Sequence, residues 1–442
     1  MLRIAVFSLA LVLVLPCCGQ VEPSASGGPV GLDDTHMMTP PPVSSESYPT
    51  SFGSESQSDF LAAGVIFTSA YVDNLMIGET TSAVSDVTYA ILPTVNLKRK
   101  TPRQVQSLVY NSGFTFYQHT SDLNAINQNA EAQYQFHPSA YSTIAIQDSF
   151  SQNSNAFNQN NPNAGGSVSG SPQSSSPLII VPFQKQLANS VSAGIADQFG
   201  KNAMFGASGS YGFLDYSNAG VGEGLYDSNT SGGSGFYSRR LTPTQYLGGI
   251  YQFSKTVTHP VSTYTTTYSI LGFYTLYLNR AFSFSVVGGP QHFTSGASTF
   301  ASSSAWTPSI TGSFGWQTLH TYFALSYAKA VRGGEGLLGA YHSQAANFSG
   351  RWQMTRLWSS GLEGSYSTFD STFQTTTTLN QGGHSLSEAV SVRRIINPHL
   401  SAEATYSHLH QSYGGVQAIS NFPNSNRVYG SILYQFSRPL GR

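Results

Sequence analysis

From Phe60 onward, apolar and polar residues alternate with a period of two. Ile126, Gln128, Ala130, Ala132, Tyr134 and Phe136 fall on one side of such a repeat, and Asn127, Asn129, Glu131, Gln133 and Gln135 on the other. Successive side chains of a strand point to opposite faces, so this pattern predicts a strand with one largely apolar face and one polar face. The same reading holds for Trp306, Ile310, Phe314 and Trp316 against Thr307, Ser309, Thr311, Ser313 and Gln317. Phe348, Trp352 and Met354 oppose Asn347, Ser349, Arg351 and Gln353, and Phe282, Phe284 and Val286 oppose Ser283 and Ser285. Near the end, Val428, Ile432, Tyr434 and Phe436 oppose Arg427, Ser431 and Gln435. Helical periodicity is absent from this region.

The connections between strands fall into two alternating kinds. One kind is tight and carries Pro, Asn or a base, as at Thr101-Pro102-Arg103, His137-Pro138, Gly200-Lys201-Asn202, Thr242-Pro243, Asn279-Arg280 and Asn397-Pro398. The other is longer and rich in Gly, Ser and Asn, above all between Ser151 and Asn189. Following the alternation from Phe60 predicts an all-β, antiparallel barrel of about 18 strands, with both ends on the short-turn side. Sixteen strands remain open, because Ser85 to Leu97, Gly235 to Leu241 and Leu386 to Ile395 are weakly patterned.

Ahead of the strands, Met1-Leu2-Arg3 precedes an apolar run from Ile4 to Leu15 and then Pro16-Cys17-Cys18-Gly19. A positive start, a short apolar stretch and small residues predict a secretory signal peptide over 1–19, too short to span a membrane. Leu15 to Cys18 also resembles a lipobox, which makes Cys18 a candidate for lipidation. Residues 20–58 are rich in Pro, Ser, Gly and Thr and predict a disordered periplasmic tether. The barrel then occupies 59–442.

Composition narrows the class. Charged residues make up 9% of the chain, against roughly 25% in average soluble proteins. Twenty Lys and Arg face 21 Asp and Glu, so the broad basic face that a nucleic-acid partner requires is missing. A soluble β-sandwich or propeller would bury more Val, Leu and Ile and expose more Lys and Glu. A strand set with one apolar and one uncharged polar face instead suits a closed sheet in lipid, where every backbone N–H and C=O must be paired.

In these features, and in the final strand Tyr429 to Phe436, the chain resembles Gram-negative outer-membrane β-barrel proteins, porin-like or exopolysaccharide-associated. The resemblance implies residence in the outer membrane of a Gram-negative bacterium and a lipid bilayer as partner. It also implies periplasmic chaperones in transit and the barrel-assembly machinery, with Tyr434 and Phe436 matching the terminal aromatic signal that this machinery reads.

No nucleophile elbow, His-Glu-x-x-His, phosphate loop or Cys-x-x-Cys occurs, so neither catalysis nor a cofactor is expected. His408 and His410 share a strand face, but two ligands without a nearby acid make a thin metal site; rim histidines are the plainer reading. Charge placement says more. Lys98, Arg99, Lys100, Arg103, Arg239, Arg240, Arg393 and Arg394 lie at or beside short turns, whereas Asp73, Glu79, Asp122, Asp148, Asp215, Asp227 and Asp370 lie in or beside the long connections. The reading is a passive or weakly selective channel, or an export pore for a polymer such as an exopolysaccharide, with a positive periplasmic rim. The alternative is a structural or adhesive surface barrel with a plugged lumen; a membrane-embedded hydrolase is a third.

Overall fold

A computed structural model describes residues 59–75, 83–153, 185–217, 226–260, 262–278, 282–297, 302–318, 320–333, 339–372, 382–413 and 423–439. The expected signal segment, the tether, Cys18 and most of the 151–189 loop lie outside them.

The strands run β1 (Asp59–Val72), β2 (Asp86–Thr101), β3 (Gln104–Tyr117), β4 (Ala125–Phe136), β5 (Ser142–Asn153), β6 (Gln186–Gln198), β7 (Ala203–Tyr216), β8 (Asp227–Thr242) and β9 (Gln245–His259). They continue with β10 (Thr263–Tyr277), β11 (Phe282–Ala297), β12 (Ser303–Gln317), β13 (Thr321–Gly333), β14 (Ala340–Gln353), β15 (Trp358–Ser371), β16 (Gly382–Asn397), β17 (Leu400–Tyr413) and β18 (Asn424–Pro439). Each pairs antiparallel with the next, and β18 pairs back onto β1 from Phe60↔Pro439 to Val72↔Arg427. The result is one closed 18-stranded sheet. The three weakly patterned segments are full strands, which decides between eighteen and sixteen.

Even-to-odd connections are tight, as from Thr242 to Gln245 and from Asn397 to Leu400, while β5 and β6 are separated by residues 154–185. One connection departs from the alternation. Between His259 and Thr263 the long-loop side makes a tight turn, with Pro260 fixing one φ and Ser262 in the left-handed region at φ 52.

Register fixes the faces, since residues directly opposite one another share a side. Phe67 opposes both Ile91 and Ile432, Ile91 opposes Phe114, and Phe114 opposes Ile126. All five are strongly exposed and define the outer face. Trp306, Trp352, Tyr434 and Phe436 join them there, while Glu131, Gln133, Arg351 and Gln435 occupy the inward positions.

The inward face is not uniformly polar. On the short-turn half of β7–β11, Met204, Tyr246, Ile250, Leu271, Phe273 and Val287 form a buried apolar cluster, flanked by Phe236 and Tyr277. Glycines make room for it. A Cβ on Gly206 would stand 2.4 Å from the Phe236 ring, and one on Gly248 would stand 2.5 Å from the Phe273 ring. The rings therefore lie flat over glycine on the neighbouring strand, a device that pins register as well as filling space. The long-loop half of the same wall is lined by hydroxyls, with cross-strand pairs Thr265–Ser295 at 3.0 Å and Thr230–Thr256 at 3.0 Å.

Candidate functional site

The outer wall shows what surrounds the barrel. A middle band of Ile91, Val95, Ile146, Val191, Ile195, Ile270, Val286, Ile310, Leu325, Leu362, Val390 and Ile432 is exposed around the circumference. Aromatics flank it toward both ends: Tyr71, Tyr89, Tyr264 and Trp306 toward the long loops, and Tyr237, Trp352, Trp358 and Tyr434 toward the short turns. Such a surface is stable only against acyl chains, with amphipathic rings at the interfaces.

Inside, one stretch of wall carries charges of both signs. Arg351 on β14, Glu363 on β15, Arg393 on β16 and Glu403 on β17 all occupy inward positions and alternate in sign. Arg393 and Glu403 are direct cross-strand partners, and Arg393 Nη2 donates to Ser401 Oγ at 3.0 Å. Arg351 lies within electrostatic reach of Glu363, Arg393 and Glu403. Glu131, farther round, accepts from Gln147 Nε2 at 3.2 Å.

At the long-loop end, the last residues of β13 bend inward over the wall. Gln291 of β11 holds them: Nε2 donates to Val331 O at 3.0 Å, and Val331 N donates to Oε1 at 2.8 Å. Val331 packs with Phe293 and Ala340. Gly333 comes so close to Thr265 of β10 that a Cβ would sit 2.6 Å from the threonine Cβ. Residues 331–333 therefore cross the inner face of β10 and β11. Strict alternation from Phe323, Leu325 and Tyr327 would put Val331 on the lipid side; only the Gly333-Gly334 pair hints at a bend there.

The short-turn rim carries the basic residues singled out from sequence, on two faces. Lys98, Lys100, Arg240 and Arg393 take inward positions, and Arg99, Arg239 and Arg394 outward ones; Arg103 sits in the β2–β3 turn. Arg240 is buried and tied to the neighbouring turn, with Nε donating to Asn202 Oδ1 at 3.1 Å and Nη2 to Lys201 O at 2.8 Å. Arg394 stacks over the Trp358 ring at 5.3 Å. In the β4–β5 turn, burial and the Lys100 charge hold the His137 imidazole below its ordinary value. Tyr434 and Phe436 face outward on the seam strand, opposite Val65 and Ala63.

His408 and His410 are outer-wall residues near the long-loop rim, on the face of Tyr406. The structure brings His410 to His384 of β16, at 3.2 Å between Nε2 atoms, a partner that strand spacing alone does not reveal. Among the described residues no three His, Cys, Asp or Glu side chains converge as a metal site.

No family model and no curated protein sequence matches the chain. Among solved structures it is similar to the unliganded ferric citrate transporter FecA, with 10% identity and TM-score 0.44 over 85% of this chain and 64% of that one. This chain thus spans less than two thirds of that protein's length. Acinetobacter baumannii OccAB2 gives 9% identity and TM-score 0.42 over 86% and 98% of the two chains. Pseudomonas aeruginosa OpdQ gives 10% and 0.40 over 88% and 100%. A closed sheet with an exposed apolar band between aromatic girdles is a transmembrane β-barrel of the outer-membrane type, with the lipid bilayer as its surroundings.

Proposed function

We propose that the protein is a passive, weakly selective outer-membrane channel for small polar solutes, with no catalytic step. The observation that carries this is the inward segment 331–333, clamped by Gln291, in a barrel whose strand number leaves an interior. A constriction lowers the size limit without requiring a plug. Toward the short turns, the inner wall of β14–β17 mixes Arg351, Glu363, Arg393 and Glu403, so it offers both signs to a passing solute and favours neither strongly. Export of a polymer such as an exopolysaccharide fits less well, since a chain would need residues 331–333 to swing aside. The inward Lys98, Lys100 and Arg393 supply a positive rim on the periplasmic side, and Tyr434 and Phe436 are proposed to serve the barrel-assembly machinery after transit with periplasmic chaperones.

Planar bilayers test the proposal. Wild-type protein should give discrete conductance steps, and Gln291→Ala, by freeing Val331, should raise the conductance or add open-state noise. Neutralising Lys98, Arg99, Lys100 and Arg103 together should weaken any voltage asymmetry. Folded protein that carries no current, with Gln291→Ala equally silent, would establish the plugged structural barrel instead.

A further inference from the structure

We propose that His384 and His410, on the outer wall beside the long-loop rim, form a chelating site for a divalent transition-metal ion of the Cu²⁺ or Zn²⁺ class. The two residues belong to adjacent strands. His384 opposes Ser412, and His410 opposes Leu386, so they are diagonal neighbours on one face. Their Nε2 atoms stand 3.2 Å apart with ring centroids at 5.2 Å. Each ring thus presents the same nitrogen to the other.

That spacing fits a shared metal. Two imidazole nitrogens about 2.1 Å from one ion, at an angle between octahedral and tetrahedral, are separated by about 3.0 to 3.4 Å. The hydrogen on His410 is also in the right place. Its Nδ1 lies 2.7 Å from Asn424 Oδ1; an amide oxygen can only accept, so Nδ1 carries the proton and Nε2 keeps its lone pair. A ligating histidine characteristically donates its other N–H to such a partner, which fixes ring orientation and tautomer. His408 repeats the arrangement two residues away, with Nδ1 2.8 Å from Asn426 Oδ1.

The surroundings suit a hydrated cation. An open surface depression beside His384 is lined by Tyr366, Thr368, Asp370, Gly383 and Ser412. It leaves space for waters to complete the shell and brings a carboxylate near it. The pair lies beyond Tyr366 and Tyr406 toward the loops, at the level of the aromatic girdle and not in the apolar band. Imidazole nitrogens favour Cu²⁺, Zn²⁺ and Ni²⁺ over Mg²⁺ and Ca²⁺, and Cu²⁺ should bind most tightly. A bound ion would staple β16 to β17 at the rim.

The test uses the full chain in detergent, free of any polyhistidine tag. Titration with Cu²⁺, followed by electron paramagnetic resonance, should show one site with two nitrogen ligands. His384→Ala and His410→Ala should each remove it, His408→Ala should leave it, and Asn424→Ala should weaken binding by about 10-fold or more. Zn²⁺ should raise the thermal midpoint of wild-type protein and not that of His410→Ala; circular dichroism verifies that each variant is folded. Absence of a two-nitrogen signal, or an equal signal in folded His384→Ala, would overturn the site and leave the pair as a hydrogen bond.

Discussion

Asp86 shows how much one side chain organises near the long-loop end. Its side chain is fully buried, and its carboxylate accepts from Val87 N at 2.7 Å, Thr120 N at 2.9 Å, Thr120 Oγ1 at 2.6 Å and His119 N at 3.1 Å. The exposed His119 ring adds Nδ1 at 2.9 Å. These bonds tie the start of β2 to the segment leaving β3, before the 3-10 turn Ser121–Leu123. Replacing Asp86 with Ala would strand several backbone donors, and a buried unsatisfied group costs about 1 to 3 kcal/mol. Asp86→Ala should therefore lower the denaturation midpoint and speed amide exchange at 118–124, while Asp86→Asn, which keeps one acceptor, should lose less. Unchanged exchange in Asp86→Ala would show that the segment is held by other means. Nothing in the alternation marks Asp86, because apart from Val87 its partners arrive from residues more than thirty positions away.

At the scale of the strand, the outer face followed from the pattern and the inner face did not. A lipid-facing position accepts almost any large apolar residue, so Phe284, Ile310 and Tyr434 are legible one strand at a time. The inward cluster around Phe273 is different, since its apolar residues alternate with others that are also apolar. Tyr268 and Ile270 face lipid while Leu271 and Phe273 face inward, and the sequence shows a nearly continuous apolar run there. The glycines opposite reveal the choice. A Cβ on Gly248 would meet the Tyr237 carbonyl oxygen at 2.1 Å and the Phe273 ring at 2.5 Å. Gly248→Ala should destabilise the barrel by about 1 to 3 kcal/mol through overpacking. Gly312→Ala, where nothing lies within 4 Å of the added carbon, serves as the control and should be close to neutral in urea or thermal unfolding.

For the molecule as a whole, closure depends on the seam between β1 and β18. At its long-loop end, Asp73 accepts from Asn426 N at 2.7 Å and from Asn426 Nδ2 at 2.6 Å, and Asn74 Nδ2 donates to Asn424 O at 2.7 Å. Tyr406 OH donates to Asn426 Oδ1 at 2.7 Å and extends the clamp to β17. Asp73→Ala should lower the temperature at which the folded band is lost in heat-modified electrophoresis, with strand content unchanged by circular dichroism at lower temperature. An unaltered transition would place seam stability in the backbone ladder alone. The sequence by itself determined that strands form, which face meets lipid and which end carries the long loops, and left their number between sixteen and eighteen. These follow from local periodicity, turn chemistry and the need of every strand in hydrocarbon for two partners. The tertiary structure alone decided the inward bend at Val331, the pairing of His384 with His410, the Asp86 hub and the apolar half of the lumen wall. Each joins residues from different strands, and a period-two pattern records the side of the sheet a residue occupies but not which side chain stands beside it on the next strand.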